Sequence, residues 1–326
     1  MQVICIGEAL IDKIISKSDS NFKNYLGGAP ANVACALRKL NVPVSFIGCV
    51  GDDDFGEEFI KLFQHLKINI DFLQVVKEYS TRIVKVTRDD SGDRSFSGFE
   101  VTKSNDFADQ MLDKLLIIND IKQLKKQFLK TKYIVTGTNL LASSKSAESL
   151  YFILESAKNF RIKVIIDVNW REIFWDHSSV DKDTRFKKVK NFLHYADLLK
   201  LASEEAYLFF DTNDPYEISK VLTKQPDVII TNGSKQINWY LNGIKGSNEV
   251  VKHTSVITDT TGAGDAFLAG LISRLYFDSN LNDQSSIKEI IKFASVCGLL
   301  TCLGEGAIEP QPVDKLVYKF LEDFGS

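Results

Sequence analysis

Asp259-Thr260-Thr261-Gly262-Ala263-Gly264-Asp265, followed at once by Ala266-Phe267-Leu268-Ala269-Gly270-Leu271-Ile272, is a glycine turn that opens directly into a helix. Its small residues cannot cover backbone N–H groups, and Phe267, Leu271 and Leu275 recur every four positions, so an amphipathic helix is expected to start at the turn. The unpaired N–H groups of a first turn and the positive end of the helix dipole suit an anion, a phosphate above all. Asp265 sets this stretch apart, because a carboxylate repels a phosphate unless it has separate work. Accepting the proton of an alcohol that attacks a γ-phosphate is such work. A Gly-rich loop whose first-turn Asp merely complements the dipole would read the same way.

Working outward, the chain has 326 residues, 44% hydrophobic and 25% charged, enough for a sizeable α/β core. Forty Lys and Arg stand against 43 Asp and Glu, and no basic face with interleaved aromatics is present, so nucleic acid is not an expected partner. Met1–Gly7 has no basic lead, and no uncharged apolar run reaches about 18 residues, so no membrane partner is expected and the expected location is cytoplasmic. Cys5, Cys35, Cys49, Cys297 and Cys302 lie singly in apolar contexts, as buried thiols do.

Short apolar runs alternate with helical patterns along the chain. Val3–Ile6, Val44–Val50, Tyr133–Thr136, Val164–Val168, Asp197–Leu201 and Val228–Thr231 read as buried strands, and Gly56–Leu66, Ser146–Asn159 and Arg185–Tyr195 as helices. That alternation predicts a parallel sheet covered on both faces. Leu10–Ser16 and Thr81–Arg88 mix apolar and polar residues, and with Arg94–Ser97 after the Ser91-Gly92 turn they predict a small sheet serving as a lid. The polar stretch Ser16–Asn24 reads as a mobile connection. No linker divides the chain, so residues 1–326 are expected to form one domain, with lid segments near 10–26 and 81–100.

A second cluster is Gly27-Gly28-Ala29-Pro30-Ala31-Asn32-Val33-Ala34. Two glycines let a ligand approach the backbone, Pro30 fits a first helical turn, and Asn32 offers a donor and an acceptor there. A capped tight turn would use the same residues. Upstream, Asp12 lies beyond the end of the first strand, where open parallel sheets bind ligands, and its carboxylate can accept from two hydroxyls. Asp167-Val168-Asn169-Trp170-Arg171 follows another strand, and Arg171 suits phosphate oxygens. Asp52, Asp53 and Asp54 read as a loop and cap, with Asp54 and Glu57 in capping-box spacing.

Gly7-Glu8…Asp12, Gly27-Gly28…Asn32, Gly51-Asp52-Asp53…Phe55-Gly56 and Asp259–Asp265 resemble, in order and spacing, the ribokinase-like (phosphofructokinase-B type) carbohydrate kinases over about residues 3–310. Gly-Gly-Ala-Pro-Ala-Asn-Val-Ala looks most like the fructokinases. The resemblance implies a three-layer α/β/α domain with a β-lid, and ATP-dependent phosphorylation of a neutral sugar, fructose first, with ribose, 2-keto-3-deoxygluconate or a nucleoside as alternatives. It implies Asp265 as base and Gly262, Ala263 and Gly264 as anion hole. The implied sugar residues are Asp12, Gly27, Gly28, Asn32 and Phe96, with Asn169 and Arg171 near the transferred phosphoryl group. Lys200, Thr231, Gly233 and Ser295, together with Ala263 and Gly264, fall where the family contacts nucleotide. Glu205 matches a glutamate that orders magnesium-bound water, Asp259 and Thr261 match a monovalent-cation site where potassium would sit, and a homodimer through the lid is the implied assembly.

The chain departs from the family at three places. Ala202 replaces an Asn or Ser, leaving Ser203 or water to fill that polar network, or leaving Ser203 to cap the helix that carries Glu205. Gln236 replaces a second glycine, and Ser97–Val101 lacks the arginine that holds acidic sugars. No Gly-x-Gly-x-x-Gly turn follows the first strand and no Walker sequence occurs, so neither a dehydrogenase nor a P-loop enzyme is expected. A kinase-shaped regulatory protein without catalysis is the remaining alternative.

Overall fold

The computed structural model describes residues 1–16, 22–88, 94–100, 106–175, 181–251, 256–277 and 281–324. Thirteen strands are found there: β1 (Gln2–Ile6), β2 (Leu10–Ser16), β3 (Phe22–Gly27), β4 (Val44–Gly51), β5 (Asn69–Val76), β6 (Ile83–Arg88), β7 (Arg94–Glu100), β8 (Thr131–Thr136), β9 (Lys163–Asp167), β10 (Leu198–Ala202), β11 (Asp227–Thr231), β12 (Ile237–Leu241) and β13 (Ile244–Asn248). Nine form one sheet in the order β13-β12-β11-β10-β9-β8-β1-β4-β5, parallel from β5 to β11 and closed by an antiparallel edge hairpin.

Alternation along β1 builds the layers. Val3 and Cys5 face one core, with the helices Ala29–Lys39, Ala263–Phe277 and Gln284–Thr301. Ile4 and Ile6 face the other, with Ser144–Ala157 and Lys182–Leu193. Each fully buried large apolar side chain contributes roughly 1.5–3 kcal/mol, so two-sided burial of the central strands is the main stabilising term. All five cysteines are buried and free. The Ala263–Phe277 helix is not amphipathic as its four-residue spacing predicts: Ala266–Ser273 and Leu275 are all buried, because sheet and neighbouring helix enclose it.

β3-β2-β6-β7 form the small sheet, with β2 and β6 parallel and the outer pairs antiparallel. The expected lid strands are present, with one correction. Phe22–Asn24, read as part of a mobile connection, belongs to β3 and pairs with Lys13–Ile15; residues 17–21 lie outside the described part. The strand carries no buried-strand signal in the sequence because Phe22, Lys23 and Asn24 are exposed at the sheet's outer edge. The aspartate loop caps the helix Asp54–His65 one residue earlier than predicted: the Gly56 N–H donates to Asp53 Oδ1 at 2.9 Å.

Candidate active site

A cleft of about 230 Å³ opens between the lid and the carboxyl ends of the central strands. Glu8, Asp12, Asn32, Asp167, Lys200 and Asp265 bring charge and hydrogen-bonding capacity to it. Asp12 reaches it from the middle of β2, opposite Tyr25 and beside Val84, so it belongs to the lid rather than to the sheet end. A Cβ at position 27 would lie 2.7 Å from Asp12 Oδ2, so any larger residue there would displace that carboxylate. Gly28 holds φ at 98° and approaches the Glu8 backbone, which seats the Ala29–Lys39 helix against the end of β1.

Asn32 Nδ2 donates to Asp265 Oδ2 at 2.8 Å, joining the two glycine-opened helices. Burial, then the nearby Asp167 charge, push the Asp265 carboxyl up to about 6, against the lowering effect of the Asn32 bond. Gly262 and Gly264 line the floor beside it, where first-turn N–H groups of the Ala263–Phe277 helix are available. The turn needs glycine at 262, whose φ is 73° and whose Cβ would stand 2.8 Å from Ala307 Cβ. Asp259 lies fully buried beneath it: Oδ1 accepts from the Thr261 N–H at 3.0 Å and hydroxyl at 2.5 Å, and Oδ2 from the Gly306 N–H at 3.0 Å.

Asn169 adopts a left-handed φ of 39°, which Asn tolerates better than most residues, and the loop it starts is pinned by Trp170. The Trp170 ring packs 5.1 Å from Trp175 and 5.6 Å from Phe209, and the Trp170 backbone N–H donates to Glu205 Oε1 at 2.6 Å. Arg171, whose Nη1 donates to the Trp170 carbonyl at 2.8 Å, is thereby held on the cleft wall. Glu205 Oε2 accepts from the Ala202 N–H at 2.8 Å, so this buried glutamate fastens its own helix start, and burial followed by the Asp167 charge raises its pKa. Lys200 Nζ donates to both Asp167 oxygens at 2.9 Å and would be 3.4 Å from a Cβ on Gly264. Burial works to lower the Lys200 pKa, but Asp167, together with the Glu205 and Asp265 charges, turns the net direction up.

Several expected residues fall elsewhere. Ser295 is buried in the Gln284–Thr301 helix, accepting from the Val251 N–H at 3.4 Å, and Gly233 lies in an exposed turn; neither lines the cleft, whereas Thr231 does. Ser203 neither caps its helix nor replaces the polar group missing at Ala202, because it accepts from Asn213 at 2.8 Å. Gln236 is tied to Ser247 at 2.7 Å. Phe96 pairs with Val86 across β6 and β7, and its side chain lies outside the described part. Phe99 packs against Phe107 and Phe174, each 5.4 Å away, and against the Arg82 guanidinium. Glu8, Asp167 and Asn139, to which the sequence reading gave no role, do line the cleft. A charged residue at the end of an apolar strand, as in Ile165-Ile166-Asp167, is the signal that marks Asp167.

A family profile for the pfkB family carbohydrate kinases matches residues 1–314. The chain belongs to this family. It is therefore a carbohydrate kinase, a phosphotransferase acting on a sugar alcohol group. Similar proteins include the probable fructokinase-6, chloroplastic, of Arabidopsis thaliana, 30% identical over 98% of this chain and 82% of the relative, and the fructokinase of Salmonella typhimurium, 27% identical over 96% and 97%. A fructokinase double mutant from Vibrio cholerae O395, solved with fructose, ADP and potassium ion, superposes with a TM-score of 0.82 at 28% identity, covering 98% of each chain. The fold alone is shared with a putative ribokinase II of E. coli, TM-score 0.82 at 21% identity over 99% of each chain. Among the described residues of this kinase, no helix is long and apolar enough to cross a membrane.

Proposed function

We propose that the protein is an ATP-dependent fructokinase of the cytoplasm, forming fructose 6-phosphate. The observation that carries this reading is the position of Asp265, hydrogen-bonded to Asn32 on the sugar-side helix and flanked by the glycine turn. An acceptor hydroxyl held by Asp12 and Asn32 would give its proton to Asp265 as its oxygen attacks the γ-phosphate. Amides of Gly262, Ala263 and Gly264, with Lys200 and Arg171, would stabilise the charge growing on the transferred group. The fructose, ADP and potassium bound by the Vibrio cholerae relative support the same assignment.

Magnesium would arrive with the nucleotide and meet Glu205, which lines the cleft, through water. Magnesium supplies charge neutralisation of the phosphates. Buried Asp259 with Thr261, held against Gly306, suits a monovalent cation such as potassium at the same turn. Thr231, Gly233 and Ser295 would contact nucleotide as the family does, although only Thr231 lines the cleft. A homodimer through the lid belongs to the same reading, with Phe22, 54% exposed, on the open edge of the lid. Sedimentation at the monomer mass of 36.7 kDa would contradict it.

Converting fructose with ATP and locating the phosphate by NMR tests the reaction. Phosphate at C6 is expected; phosphate at C1 contradicts the proposed product. Asp12→Ala should weaken sugar use by about 1–3 kcal/mol, since a sugar hydroxyl loses its buried partner, while the KM for ATP stays unchanged. Equal losses for both substrates would mean a folding defect instead. Competition from water requires a covered site, so hydrogen exchange in residues 10–16, 22–26, 81–88 and 94–100 should slow on adding sugar and respond less to nucleotide alone. Protection confined to residues 228–300 under both conditions would place sugar binding away from the lid.

A further inference from the structure

Glu8 and Asn139 stand on the cleft wall without a part in the mechanism above. They leave the neighbouring parallel strands β1 and β8, which pair at Ile6 and Thr136, and both are buried, at 2% and 9% exposure. Asn139 Nδ2 donates to Glu8 Oε1 at 2.9 Å. That single bond leaves Glu8 Oε2 and Asn139 Oδ1 buried with no hydrogen-bond partner. Buried polar atoms are almost always paired, and two orphans on one pair of touching side chains at a ligand cleft point to a partner that arrives from outside. With the carboxyl ionised both atoms are acceptors, which cannot pair with each other, and a sugar hydroxyl can donate to either. Burial pushes the Glu8 carboxyl up to about 7, with the Asp109 and Asp265 charges adding to it and the Asn139 bond opposing it.

We propose that Glu8 and Asn139 form a further sugar-recognition pair, whose unpartnered oxygens bind one hydroxyl, or two neighbouring hydroxyls, of the acceptor. This rests on the reading of the cleft as a fructokinase site. It gives this part of the cleft wall a role in selecting polyhydroxylated acceptors, and it uses the glutamate that directly follows the first strand and Gly7.

Glu8→Gln is the discriminating variant. The introduced amide can accept from Asn139 Nδ2 and donate to Asn139 Oδ1, so the pair closes on itself. The melting temperature should hold or rise while the KM for fructose rises about 10- to 100-fold, with the KM for ATP and kcat at saturating sugar within about twofold. Among monodeoxy fructose analogues, the one lacking the bound hydroxyl should lose at least about tenfold in kcat/KM with the unaltered enzyme and little further with the variant. Asn139→Ala should abolish the same discrimination, which keeps the test decisive if Glu8→Gln folds poorly. An unchanged sugar KM in a stably folded variant, or equal analogue penalties in all forms, overturns the pair. If the unaltered enzyme phosphorylates no sugar, the fructokinase reading fails first and the pair with it.

Discussion

Asp265→Asn is expected to lower turnover by about two orders of magnitude or more while leaving the KM for ATP near its original value. An asparagine can keep the hydrogen bond from Asn32 but cannot take a proton from the acceptor hydroxyl, so the loss should appear in kcat. The same carboxyl sets the acid limb of the pH profile. With its pKa at about 6, kcat/KM for the sugar should fall tenfold per pH unit below that value. The linkage to stability has the opposite sense. Because the folded-state pKa lies above the unfolded one, stability from the neutral form is fully present below about pH 4 and is lost as pH rises through 6. The asparagine variant escapes that loss and should melt higher than the unaltered protein at pH 8, with the gap closing toward pH 4. Thermal scans at the two pH values, paired with steady-state kinetics, check both signs. Unaltered turnover would remove Asp265 from the reaction.

Lys200→Met is expected to cost about 3–5 kcal/mol of stability, because it strands the Asp167 carboxylate, 5% exposed, without the ammonium that now meets both its oxygens at 2.9 Å. Restoring neutrality with Asp167→Asn in the same chain should recover most of that loss. Nucleotide use should not recover, since Lys200 also faces Gly264 at the glycine turn. Denaturant unfolding and the KM for ATP of the single and double variants separate the two effects. Recovery of both together would make Lys200 a purely structural partner of Asp167.

The parts of the fold legible in the sequence are those whose local pattern agrees with their burial. Val3–Ile6 and Val44–Val50 are apolar on both faces because helices cover both faces, and the observed strands match them within about two residues. β5 is not legible as a buried strand because it is an edge strand of alternating exposure. Asn242-Gly243, with φ of 48° and 80°, is a strong turn signal, but the β12–β13 hairpin is hard to read from sequence because the strand after it, Ile-Lys-Gly-Ser-Asn, is not apolar. In the site, Asn32, Arg171, Glu205 and Asp265 are legible because each sits by a glycine turn or at a strand or helix end, whereas Asp12, expected beyond the first strand's end, lies within β2. Glu8 and Asn139 could not be paired in advance, since they meet across 131 residues and only tertiary packing brings β1 beside β8. Ser295 illustrates the converse: its helix is present, but the face it occupies is decided by packing against Val251.

The central claim is that the Asp12, Asn32 and Asp265 constellation selects fructose as phosphoryl acceptor. ATP consumption measured side by side with fructose, ribose, adenosine and 2-keto-3-deoxygluconate tests it most directly. The account predicts the highest kcat/KM for fructose, lost in Asp265→Asn. A fructose activity no greater than that for the other three would contradict the choice of sugar, and no activity with any of them would contradict catalysis itself.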